Sequence, residues 1–96
     1  FRIESHLPNT IADGLRTVLG VKNFEIIKPA AADILLVDEA EIVAAMALIW
    51  TRLKQVVEPS SAVTLAAVLK NPTLFSGQRV GLILTGGNVD IGQLPF

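Results

Sequence analysis

Cysteine is absent from these 96 residues, which excludes a disulfide framework, a thiol nucleophile and thiolate metal ligands, and suits a cytoplasmic setting. Tyrosine is also missing, and His6 is the single histidine. One imidazole cannot build a histidine metal site, and no serine has an in-chain histidine base with a positional claim, so neither such a site nor a Ser-His nucleophile is expected within these residues. Aromatic residues are few and the net charge is −1, so the basic stripe and stacking platforms that nucleic acid requires cannot be assembled. The uncharged run over residues 42–51 falls far short of the roughly 20 residues a membrane-spanning helix takes. No initiator methionine and no basic, apolar leader precede Phe1, so the sequence reads as a processed or excised piece. Neither GxGxxG nor GxxxxGK[ST] occurs, which leaves the Gly-rich phosphate loops without a candidate.

What the chain does have is apolar surface. Its hydrophobic fraction of 51% is high for one small domain, and that excess points to faces meant for a partner or for missing chain. Two short segments read as strands buried on both faces: residues 34–37, four apolar residues between Asp33 and Asp38, and residues 80–84, which run directly into Thr85-Gly86-Gly87-Asn88. Thr85 therefore stands at the carboxyl end of a strand, where ligands of open α/β sheets bind. Helices are expected between and before them. Thr10 is a candidate cap for a short helix whose apolar face is Leu15, Val18 and Leu19, and Asn23 for a second over residues 24–28 that Pro29 closes.

The longest helix starts at Asp38, an N-cap that Glu41 completes as a capping box, with Glu39 adding favourable charge in the first turn. Ile42, Met46, Ile49, Leu53 and Val56 continue a single stripe until Glu58-Pro59 ends it. Met46 and Trp50 lie on or beside that stripe as core residues. Ser60 or Ser61 then caps a helix whose small residues Ala62, Ala66 and Ala67 allow close packing against a sheet, and which stops before Pro72. Strand and helix alternate as in a crossover unit of an α/β sheet, yet two strands are too few for a stable open sheet, so further strands are expected from elsewhere.

Three motifs in order carry a resemblance: Thr10-Ile11-Ala12-Asp13-Gly14, Glu58-Pro59-Ser60-Ser61-Ala62 and Leu84-Thr85-Gly86-Gly87-Asn88-Val89-Asp90. Together with the Asp-Ile-Leu-Leu-Val-Asp segment and the long helix bearing Trp50, the sequence resembles the final third of the serine/threonine dehydratase and serine racemase family. These are pyridoxal-phosphate enzymes of fold type II, the tryptophan-synthase-β type. The resemblance covers residues 1–96 and implies an α/β fragment, the C-terminal portion of the large domain, with a parallel or mixed sheet flanked by helices.

It also implies roles. Thr85 matches the hydroxyl residue that hydrogen-bonds the pyridine nitrogen of the cofactor. A hydroxyl can donate to an unprotonated ring nitrogen, whereas a carboxylate would hold that nitrogen protonated and make a stronger electron sink. Gly14 matches a glycine whose backbone borders the cofactor, Glu58 the acid of a Glu-Pro-Ser/Thr motif near the ring, and Gly86 with Gly87 a backbone passing beneath it, with Asn88 fixing the turn. Ser61 departs from the Gly or Ala usual there.

The Schiff-base lysine, the substrate-carboxylate loop, the phosphate loop and a divalent-cation site of such enzymes lie upstream of the part matched. Lys22, Lys28, Lys54 and Lys70 have none of the lysine motif's surroundings, so these residues alone are expected to be inactive, with the rest of the parent chain as partner. The implied parent is an ammonia-lyase, a homodimer or tetramer, taking a small β-hydroxy amino acid such as threonine or serine to a 2-oxo acid and ammonia. If the end at Phe96 is natural, no regulatory domain follows and a catabolic enzyme is favoured. A racemase of the same family, or a non-catalytic interaction module derived from it, are the alternatives.

Overall fold

A computed structural model describes residues 1–96. It contains four α-helices, α1 (Val21–Ala30), α2 (Glu39–Leu48), α3 (Pro59–Lys70) and α4 (Pro72–Phe75). Two 3₁₀ turns, Asp13–Leu15 and Ile91–Gln93, and a π-helical turn, Ile49–Leu53, that prolongs α2 complete the regular structure.

α2 begins where the capping box requires. Asp38 Oδ1 accepts the Glu41 N–H at 2.8 Å, and Glu41 Oε2 accepts the Asp38 N–H at 2.8 Å, so two otherwise unpaired donors of the first turn are satisfied reciprocally. Glu41 Oε2 is also met by Lys70 Nζ at 3.0 Å, which ties the start of α2 to the end of α3. The helix then widens into the π turn and stops at Lys54, whose left-handed φ of +56° reverses the chain. The expected stripe through Val56 is therefore too long by a turn. Val56 lies beyond the helix and is 55% exposed, while Val57, one residue on, is buried at 3%. Trp50 fixes this reversal by donating its indole N–H to the Val57 carbonyl at 2.9 Å, and its ring meets Phe96 edge-on at 5.7 Å.

α2 and α3 pack against each other to form the core. Ile42, Ala45, Met46 and Ile49 face Ser61, Ala62 and Ala66, with Ala12 and Val57 closing the ends. Ala45, Ala62 and Ala66 let the two helix backbones approach, and Met46, wholly buried, fills the space between them.

The N-terminal third differs from its sequence pattern. No helix follows Thr10 beyond the single turn Asp13–Leu15, because Arg16 folds back to donate to the Thr10 carbonyl through Nε at 2.8 Å and through Nη2. α1 is capped by Gly20 rather than Asn23 and carries Pro29 inside its last turn. A proline near a helix end forfeits one hydrogen bond without an uninterrupted run beyond it to distort.

The expected sheet is not formed within these residues. Segments 34–37 and 80–84 contain no β-ladder, and Ile34, Leu36 and Ile83 are more than three-quarters exposed. A strand exists by pairing, and here the hydrogen-bonding edges have no neighbour. The accessible surface of 7299 Å² is correspondingly large; a folded chain of 10.2 kDa is expected to expose about 5,300 Å². No helix is long and apolar enough to cross a membrane.

Candidate functional site

The first turn of α3 is the point at which distant parts of the chain meet. Glu58 is its N-cap in extended conformation and Pro59 occupies the first helical position, where a missing N–H is not needed. Two consecutive serines then present hydroxyls on different sides of the turn. Ser60 Oγ accepts the Gly14 N–H at 3.0 Å, from the 3₁₀ turn forty-six residues earlier. Ser61 Oγ accepts the Thr85 N–H at 3.0 Å, from the extended segment twenty-four residues later.

Glu58 holds the glycine segment through both backbone and side chain. Its N–H donates to the Gly86 carbonyl at 3.0 Å, and its Oε2 accepts the Asn88 N–H at 3.3 Å. All four residues singled out in the sequence, Gly14, Glu58, Thr85 and Gly86, are thereby gathered on one helix end. Thr85 and Gly14 are exposed there, and Glu58 and Gly86 half-buried.

The glycines have internal reasons for lacking a side chain. A Cβ on Gly86 would stand 2.8 Å from Glu58 Oε1, and one on Gly87 2.7 Å from the Val56 carbonyl oxygen. At Gly14 a Cβ would meet Ser60 Oγ at 3.0 Å. These close approaches let the 85–88 backbone lie directly on the N-terminal turn of α3.

The Gly14 turn is held from a second side. Glu39, in the first turn of α2, accepts the Ile11 N–H through Oε2 at 2.8 Å. That bond, the Thr10 side chain and the positive charge of Arg16 favour the ionised carboxylate and hold its pKa below the ordinary value. Within the turn, Thr10 Oγ1 accepts from Ala12 N and Asp13 Oδ1 from Gly14 N.

Beside the cradle, a hollow of about 370 Å³ is lined by Asp13, Arg16, Pro59, Asn88 and Asp90 among others, so the site opens to solvent between the Gly14 turn and the 85–90 segment. A larger hollow, lined by Phe1, Ile3, His6, Phe24 and Ile27, lies away from it under the N-terminal arm. None of the lysines reaches the cradle. Lys70 pairs with Glu41, and Lys28 lies over the Phe24 ring at 5.7 Å. The acidic and histidine side chains form no cluster able to hold a metal ion.

In the sequence Ser60 and Ser61 are candidate helix caps and members of the Glu58-Pro59-Ser60-Ser61-Ala62 motif. Neither caps α3, since Glu58 stands at that position. Their use as acceptors for remote backbone is a product of tertiary structure, and no local signal announces it.

Residues 1–86 match the sequence pattern of the family described as pyridoxal-phosphate dependent enzyme. The chain is 50% identical over 94 residues to a beta-hydroxyaspartate dehydratase from Paracoccus denitrificans, an alignment that takes in 98% of this chain and 30% of that protein. It is 49% identical over 89 residues to a serine racemase from Dictyostelium discoideum, covering 91% of this chain and 28% of the other. Among solved structures, a threonine deaminase from T.th. superimposes with a TM-score of 0.85 at 43% identity, over 95% of this chain and 30% of that one. The chain thus spans less than a third of the length of each relative. A match over nearly its whole extent, with identities of 43% and above, means that the chain belongs to the pyridoxal-phosphate-dependent enzyme family.

Proposed function

We propose that these 96 residues are the C-terminal portion of the large domain of an ammonia-lyase, which converts a small β-hydroxy amino acid to a 2-oxo acid and ammonia. The observation that carries this reading is the convergence of Gly14, Thr85, Gly86 and Asn88 on the first turn of α3. It occurs in a chain whose relatives include a beta-hydroxyaspartate dehydratase, an L-threo-3-hydroxyaspartate ammonia-lyase and a threonine deaminase.

The residues present fit one edge of pyridoxal phosphate. Thr85 offers an exposed hydroxyl on a backbone pinned at its N–H, and Gly86 and Gly87 present no side chain beside it. When bound, the cofactor supplies the electron sink that makes the substrate α-proton removable. Thr85 Oγ1 would donate to the ring nitrogen and leave it unprotonated, which moderates the sink and suits prompt loss of the β-hydroxyl after the α-proton. Gly14 and Gly86 would border the ring, and Glu58 would hold the glycine segment in place. The net reaction is balanced: water leaves across the α and β carbons, water returns in hydrolysis, and the nitrogen departs as ammonia.

In the intact protein, segments 34–37 and 80–84 would become strands of a parallel or mixed sheet whose other strands, with the lysine and phosphate loop, come from the rest of the parent chain. Burial of their exposed apolar side chains is the physical drive for that assembly, and a cytoplasmic homodimer or tetramer is the expected form. A racemase is the second reading, favoured by the 49% identity to a serine racemase.

The experiment is to purify the intact protein, add pyridoxal phosphate, and follow visible absorption together with release of 2-oxo acid from L-threonine, L-serine and hydroxyaspartate. A lysine-bound cofactor band with oxo-acid release supports the lyase. Inversion of the α-carbon without oxo acid supports the racemase, and no band at all rejects both in favour of a non-catalytic module.

A further inference from the structure

The side chain of Ser61 is 1% exposed, on the inner surface of α3 beside Ala62 and Ala66. A buried hydroxyl in such surroundings needs a hydrogen-bond partner, and the Thr85 N–H at 3.0 Å provides one. The contact does more than satisfy Ser61. Two groups flanking the Thr85 side chain are pinned to the same helical turn: its own N–H by Ser61 Oγ, and the next residue's carbonyl by the Glu58 N–H at 3.0 Å.

Threonine is β-branched, so its χ1 has few choices once the backbone is placed. The backbone that carries the Thr85 hydroxyl is therefore placed by α3, and α3 is set by its packing on Ala45 and Met46 of α2, both fully buried. A chain of contacts runs from the core to the one hydroxyl that would face the cofactor.

We infer that Ser61 is a positioning residue for the cofactor: its hydroxyl fixes the height and orientation of Thr85 against the ring without touching the ring itself. The inference rests on the proposed function and adds to it a residue outside the cofactor-facing set. It also separates the two serines, since Ser60 holds the Gly14 turn and Ser61 the ring-nitrogen partner.

Ser61→Ala removes the acceptor and little volume, and Ser61→Thr restores an Oγ. In the intact protein three quantities are read: the dissociation constant for pyridoxal phosphate, amide hydrogen exchange at Thr85, and the melting temperature without cofactor. The expected result for Ser61→Ala is faster exchange at Thr85 and cofactor binding weakened by roughly five- to tenfold, the worth of one hydrogen bond, with Ser61→Thr recovering both. Faster exchange or a lower melting temperature with an unchanged dissociation constant would overturn the positioning role and leave Ser61 merely structural. Unchanged exchange would overturn the contact itself. A wild-type protein that takes up no cofactor would instead sink the proposed function, and the inference with it. That failure is recognisable because it appears before any substitution is made.

Discussion

Placing alanine at Gly86 and at Gly87 separates two kinds of steric limit that the site contains. Neither glycine has a positive φ, so the effect of a methyl group is one of space alone. On Gly86 the new Cβ would stand 2.8 Å from Glu58 Oε1 and 3.3 Å from Cδ, the far end of a side chain that can swing away. The cost is then the Glu58 Oε2 bond to Asn88 N, which at 3.3 Å and exposed to solvent contributes about 0.5 kcal/mol. On Gly87 the Cβ would stand 2.7 Å from the Val56 carbonyl oxygen and 3.3 Å from its carbon. That is backbone, and it is anchored on the far side by the Trp50 bond to Val57, so the segment itself must shift at about 1–3 kcal/mol, the usual range of overpacking. Denaturant unfolding of the intact protein, with hydrogen exchange over residues 84–90, measures both. Gly87→Ala is expected to be the more damaging, and adding Glu58→Ala to each should abolish the penalty of Gly86→Ala while leaving that of Gly87→Ala untouched. Equal penalties, or no coupling between Glu58→Ala and Gly86→Ala, would refute the reasoning.

Two further outcomes follow from the frame around the site. Glu39 has a depressed pKa when folded, so its contribution is present above the ordinary carboxylate range and is lost as pH falls through the lowered value. Acid titration followed by hydrogen exchange should therefore release Ile11 and the Gly14 turn at low pH in the wild type. In Glu39→Gln the turn should already be loosened at neutral pH, with little pH dependence of its own. Lys54 sits at φ +56° with its side chain in solvent, and Lys54→Gly is expected to stabilise the protein by up to about 1 kcal/mol, read as a higher unfolding midpoint.

What could be read from the sequence was what short-range chemistry decides. Asp38 and Glu41 announced the start of α2 because a capping box is closed within four residues. The small residues of α3 pointed to packing against a sheet, whereas Ala62 and Ala66 pack against α2 in the residues present. The end of α2 was hidden for a physical reason: Leu53 and Val56 keep the helical spacing across Lys54, and only the reversal that seats Trp50 on Val57 ends it. Residues 34–37 and 80–84 have the composition of doubly buried strands, but strand pairing depends on neighbours, which the sequence of one segment cannot supply. At the site, resemblance pointed to Gly14, Glu58, Thr85 and Gly86. The role of Ser60 and Ser61 as acceptors emerged only when the fold brought segments separated by forty-six and twenty-four residues into hydrogen-bonding distance. The glycines too gained a different explanation, since the atoms that exclude a side chain at Gly86 and Gly87 belong to Glu58 and Val56 of this chain.

The central claim is that the segment delivered by α3 presents the Thr85 hydroxyl to the cofactor ring. Its most direct test is the dissociation constant of pyridoxal phosphate from the intact protein, compared between wild type, Thr85→Ser and Thr85→Ala. Thr85→Ser should bind within about twofold of wild type and Thr85→Ala about five- to tenfold more weakly, as the loss of one hydrogen bond implies. Equal affinity and equal turnover in all three would contradict it.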